Sequence, residues 1–169
     1  MRWIAMIAAG LIWAATASAM GVHHDLQVTL QPEDGRIIGQ DRIRVEPGGD
    51  ALVDIYLAAN ASNLTVRKNE QPAAFQREGS RIRLPLNAEE RATPFFLTIS
   101  YTAVFRDPVP DRPVNTDNPG YGVSGTISDK GTLLLAGSGW YPHVAAANAT
   151  YRIRVAAPAG VLAVTAGRS

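Results

Sequence analysis

An all-β fold is expected, an antiparallel β-sandwich or saddle-like sheet of short strands preceded by a cleavable signal helix. Three observations lead there. Apolar residues alternate with polar ones in segment after segment, the period of a half-buried strand. Turn signals separate the segments at spacings near ten residues (roughly the 8–12 typical of sandwiches). Only 87–91 reads as helical, for one turn at most.

The elements follow in order. Met1-Arg2 is a short positive start, and Trp3–Ala19 carries no charge, with 14 of its 17 residues apolar. Ala17-Ser18-Ala19 closes it as a small-x-small cleavage site, so a signal peptide over 1–19 is expected, cut after Ala19. The competing reading is an uncleaved anchor, at the short edge of the roughly 17–25 residues that span a bilayer. Cleavage removes Arg2, and the formal charge of +1 becomes zero. A secreted or periplasmic location is the expectation. Residues 20–169 then form one domain, of ordinary size for a single core.

In 24–30, Leu26, Val28 and Leu30 share a face. Pro32-Glu33-Asp34-Gly35 turns the chain. In 36–45, Ile43 and Val45 point inward and Arg42 and Arg44 outward. Further strands are expected at 51–57, 64–67, 73–76 and 81–86, with a hairpin tip at 68–72. Residues 95–105 show the strongest pattern: Phe95, Leu97, Ile99, Tyr101, Ala103 and Phe105 make one unbroken face. Late strands are expected at 132–135, 151–155 and 161–165. Arg106–Gly131 interrupts the rhythm with four prolines and four glycines. A loop of that length is either a connection between sheets or a functional segment.

Composition excludes several chemistries. There is no cysteine, hence no disulfide framework, thiolate zinc site, iron–sulfur cluster or cysteine nucleophile. Near-neutral charge argues against general nucleic-acid binding. Gly120–Gly125 matches G-x-G-x-x-G but lacks the preceding strand and following helix of a dinucleotide site. His23-His24-Asp25 is the one local cluster of metal-type ligands, yet adjacent strand residues face opposite ways, so the two histidines are not expected to share a metal. Cleavage after Met20 instead of Ala19 would place His23 third in a new terminus, a square-planar copper or nickel arrangement, but it breaks the small-residue rule. Ser138 and His143 flank Gly139-Trp140-Tyr141-Pro142 without the G-x-S-x-G elbow; the aromatics there are expected to plug one end of the sandwich. Three glycosylation sequons, at Asn60, Asn63 and Asn148, matter only in a host that modifies exported proteins. No catalytic, cofactor-binding or metal residue is assigned. The contact candidates are Tyr121, Trp140 and Tyr141, aromatics in or near the long loop.

Several segments, taken together, resemble a known family. His24-Asp25-Leu26-Gln27-Val28-Thr29-Leu30 followed by Gly35-Arg36-Ile37-Ile38-Gly39-Gln40-Asp41 resembles the opening strands of the membrane alanine aminopeptidase family of zinc metallopeptidases. Segments 52–57 and 64–67, the hairpin 68–71, and 96–101 match later strands in the same order, although Ala103 replaces a usual glycine. Ser138-Gly139-Trp140-Tyr141-Pro142 resembles the family's S-x-x-W-x-P segment, and 151–160 and 165–167 the stretches after it. The likeness runs through nearly all of residues 20–169. It implies a β-saddle that docks on a thermolysin-like catalytic domain and shapes access to its cleft. The family's zinc and its H-E-x-x-H and Gly-x-Met-Glu-Asn motifs lie in that later domain, and neither motif occurs here. No catalytic residue carries over. The expected partner is a catalytic metallopeptidase domain or a peptide substrate, with no nucleic acid and no membrane beyond an uncleaved signal. The domain is expected to be incomplete at its C-terminal end, a fragment of a larger protein. The alternative is a stand-alone secreted or periplasmic binding module that uses the 106–131 loop.

Overall fold

The computed structural model describes residues 21–46, 48–111, 122–145 and 148–165. The expected signal helix, the cut after Ala19 and Tyr121 lie outside them.

Among the described residues twelve strands form two main sheets and a small hairpin. In chain order they are β1 (Gly21–Gln31), β2 (Arg36–Val45), β3 (Leu52–Tyr56), β4 (Ser62–Lys68), β5 (Gln71–Pro72), β6 (Gln76–Glu78), β7 (Arg81–Pro85), β8 (Phe95–Val104), β9 (Gly125–Ser128), β10 (Gly131–Leu134), β11 (His143–Val144) and β12 (Asn148–Ala156). The larger sheet has the order β12-β1-β2-β8-β4-β5, the smaller β11-β3-β7-β6, and β9 pairs with β10 alone.

Alternation decides which side each residue takes. In β1, Val22, His24, Leu26 and Val28 are buried; in β2, Ile37, Gly39, Asp41, Ile43 and Val45 are buried and the residues between them exposed. Phe95, Leu97, Ile99, Tyr101, Ala103 and Phe105 share the buried face that the sequence predicts. Across the core stand Val53 and Ile55 of β3, Ile82 and Leu84 of β7, and Val144 of β11, and both sheets merge into one apolar cluster. Burial of such aliphatic side chains stabilises the fold by about 1.5–3 kcal/mol each.

One close approach depends on glycine. Gly39 stands opposite Tyr101, and a Cβ at Gly39 would lie 2.3 Å from the Tyr101 ring. The missing side chain lets the tyrosine lie across β2, where its hydroxyl donates to the Trp140 carbonyl at 2.6 Å. The turn at 68–71 is the expected hairpin tip. Asn69 and Glu70 both take positive φ, which matches the right-handed twist of the flanking strands.

Five expectations are corrected. The sheets are antiparallel apart from one pair: β12 runs parallel to β1 along its whole length. Segment 106–131 is not loop throughout, for β9 lies inside it. The Ile127 amide donates to the Phe105 carbonyl and the Asp107 amide to the Gly125 carbonyl, so the chain after β8 continues the pairing. Only four residues long and bounded by glycine, β9 shows too little alternation to be read from sequence. Residues 161–165 form no strand; Val-Leu-Ala-Val-Thr has strand character, but among the described residues nothing pairs with it. The strand expected at 73–76 is displaced, and pairing occurs at 71–72 and 76–78 instead. Residues 87–91 form a turn, with Arg91 N–H donating to the Asn87 carbonyl at 3.2 Å, but they are not the one helical stretch that the sequence suggests, for short 3₁₀ helices form at Pro32–Asp34 and Ala136–Ser138. The Asn87 and Glu90 side chains each accept the other's backbone amide, as in a capping box.

Candidate functional site

The densest group of chemistry-bearing side chains lies beneath the β12 end of the large sheet. Strand parity puts His24 and Asp41 on the inward face among aliphatic residues, and both are fully buried. His24 Nδ1 and Asp41 Oδ2 are 2.6 Å apart. The parallel register sets Tyr151 beside His24, and the rings stack at 4.7 Å with planes 14° apart. Tyr141 meets both rings edge-on, at 6.2 Å and 5.7 Å. Trp140 meets Tyr141 at 4.8 Å.

Burial dominates the electrostatics. It raises the Asp41 carboxyl above its ordinary value, opposed by the hydrogen bond to His24. It also pushes the Tyr151 phenol up to about 12, with a contribution from the Tyr141 hydroxyl. Tyr101 is raised by burial and then by the Asp41 charge. His24 Nε2 and Asp41 Oδ1 are buried and have no hydrogen-bond partner among the described residues.

The structure brings two of the contact candidates, Trp140 and Tyr141, into this cluster, both half-buried. Asp41 and Tyr151 are not singled out by sequence motifs. The signal for Asp41 is its parity, a carboxylate in register with Ile43 and Val45. Tyr151 joins only through the parallel pairing of β12, which local sequence does not specify.

The dyad is closed to a substrate, because both members are fully buried. Its chemistry is cohesion: it ties β1 to β2, and through the aromatic rings to β12 and the 140–141 segment. The other pieces do not assemble a nucleophile. The Ser138 hydroxyl donates to the Leu135 carbonyl, and His143 sits opposite Tyr56 on β11. Gly125 opens a strand, not a helix. The histidines do not fit a zinc site. His23 faces outward against the Thr150 hydroxyl at 2.8 Å, His24 inward against Asp41, and His143 lies on the other sheet. Among the described residues no group of three or more His, Asp or Glu side chains is arranged to hold a metal ion.

Comparison with known proteins gives a likeness of fold at low sequence identity. No family model and no curated protein sequence matches the chain. Solved structures do. An M1 zinc metallopeptidase from Deinococcus radiodurans, a mutant bound to a Tyr-Ser-Ala substrate, superposes with a TM-score of 0.56 at 18% identity, covering 89% of this chain and 37% of that one. The same peptidase mutant without the substrate gives 0.57 at 17% identity. Yeast LTA4 hydrolase in complex with bestatin gives 0.51 at 16%, covering 83% of this chain and 23% of that one. The chain therefore has the fold of the N-terminal part of M1 zinc metallopeptidases, and it spans about a third of the length of the Deinococcus enzyme.

Proposed function

We propose that the chain is exported and serves as the non-catalytic N-terminal β-domain of an aminopeptidase-like zinc metallopeptidase, docking on a catalytic domain and shaping access to it. The observation that carries this reading is the fold likeness itself: most of this chain overlays one part of a peptidase more than twice its length.

A second feature supports docking. The inward row of β12, Ala149, Tyr151, Ile153 and Val155, remains partly uncovered. Val161, Leu162 and Val164, which share a groove with Ile153 and Val155, are exposed as well. Large apolar groups exposed together mark interaction surfaces. Export rests on the uncharged 3–19 segment and its Ala17-Ser18-Ala19 end.

The test is isolation of the native protein with an antibody raised against residues 21–165. A polypeptide well above 18.1 kDa, found outside the cytoplasm, is expected, releasing N-terminal amino acids from peptides and losing that activity to a zinc chelator. A native polypeptide of this size alone, bound to no peptidase, overturns the reading.

A further inference from the structure

The solvent face of the large sheet has an ordered charge pattern that the docking role does not use. Strand parity places six arginines on it: Arg36, Arg42 and Arg44 on β2, Arg67 on β4, and Arg152 and Arg154 on β12. The chain as a whole is nearly neutral, at +1, so positive charge is concentrated here. Three of the six have a carboxylate: Arg154 with Asp25, Arg44 with Glu46, and Arg36 with Asp34.

The other three, Arg152, Arg42 and Arg67, pair with no carboxylate among the described residues. Arg42 lies over the Phe96 ring at 3.9 Å, and Arg67 donates to the Glu70 carbonyl. These three share one line across the sheet. Arg152 stands beside Asp25, Asp25 beside Arg42, Arg42 beside Thr98, and Thr98 beside Arg67. Alternate strands are roughly 10 Å apart, so the three arginines rise from evenly spaced positions in a row perpendicular to the strands, with Asp25, bound to Arg154, between two of them. One row further along lies a groove whose polar lining includes Gln27, Gln40, Asn63, Ser100, Thr102 and Arg154, beside apolar residues such as Ile38 and Val155.

We infer that this face binds an acidic polysaccharide, a carbohydrate chain bearing carboxylates, laid across the strands. Guanidinium groups recognise carboxylates in a bidentate fork. The neighbouring amides and hydroxyls can donate to and accept from sugar hydroxyls. The other polyanions fit less well. Nucleic-acid strands are held on exposed aromatic platforms; among the described residues the rings on this face are Phe96, covered by Arg42, and the imidazole of His23, hydrogen-bonded to Thr150. A membrane-binding surface needs an apolar band, and Ile38 and Val104 are the exposed large aliphatic residues here. Extended peptides add to sheet edges through backbone hydrogen bonds, and this is a face.

Fluorescence anisotropy with labelled oligogalacturonate and the purified chain tests the inference. Saturable binding is expected, weakening as salt rises and at least tenfold weaker in the R42Q/R67Q/R152Q variant, with neutral dextran silent. Gln40→Glu, which places a carboxylate in the groove without breaking an ion pair, is expected to weaken binding too; it keeps the test decisive if the triple variant fails a thermal-unfolding check. No binding of oligogalacturonate, or binding unchanged in a folded variant, overturns the proposal. So does equal affinity for polyglutamate, single-stranded DNA or anionic phosphatidylglycerol vesicles.

Discussion

At residue scale the His24–Asp41 pair is the least ordinary feature. Two ionisable groups are fully buried with one hydrogen bond between them, and each keeps an unpartnered atom. Removing one partner of such a pair leaves the other buried and unsatisfied, at a cost of about 3–5 kcal/mol, whereas an apolar pair of similar shape is often neutral or stabilising. His24→Phe keeps a ring to stack on Tyr151 but strands Asp41. The double variant H24F/D41L removes both polar groups. Urea unfolding is expected to show the single variant strongly destabilised and the double variant recovering most of the loss. A double variant as unstable as the single one would show that the pair itself is worth more than its packing volume. The alternation in β1 and β2 makes half of this legible in sequence. It puts His23 and His24 on opposite faces and Asp41 on the apolar one. The side-chain approach of His24 to Asp41 and the stacking of Tyr151 depend on register and strand direction, which local pattern does not encode.

At the scale of elements, the long strands were readable, and so were the short β3, β7 and β10, while β5, β6, β9 and β11 were not. Ten-residue strands such as β2 and β8 repeat the period often enough to stand above chance, while β9 is too short to do so and the two-residue β11 is held by β3, far back in the chain. Asp107 shows how β9 is held. Its carboxylate accepts the amides of Ser124 and Gly125 and the Ser124 hydroxyl, at 2.7 to 2.9 Å. Those hydrogen bonds, the two amides first, hold the Asp107 carboxyl below its ordinary value. A carboxyl whose folded pKa is depressed adds stability above its unfolded pKa of about 3.9, and that stability is lost as pH falls through the folded value. Asp107→Asn is therefore expected to lower the melting temperature at pH 7, and the gap to the wild type should narrow below pH ~4. Asp54, also held low by Arg81, titrates alike in both proteins and cancels from the comparison. A gap independent of pH would mean that Asp107 acts through shape, not charge.

At the scale of the whole molecule, the fold is finished on one side and open on the other. β5 ends the large sheet as a two-residue strand, a short edge that offers little to a further strand. The opposite edge is the nine-residue β12, which no strand follows among the described residues. Its inner row is apolar and partly exposed, and Leu162 and Val164 nearby are 85% and 87% exposed. A long unpaired edge beside an apolar patch is a template for association. On the docking reading a catalytic domain covers this region, so the chain by itself should seek a substitute. Sedimentation velocity is expected to show concentration-dependent association of the isolated chain. Substitution of Ile153 and Leu162 by lysine should suppress it, because a charge on the apolar row disfavours both edge pairing and face-to-face contact. Arg152→Gln, on the opposite face of the same strand, should leave association unchanged. A chain that stays monomeric as concentration rises would mean that the β12 edge is protected without a partner, and the docking surface would then have to lie elsewhere.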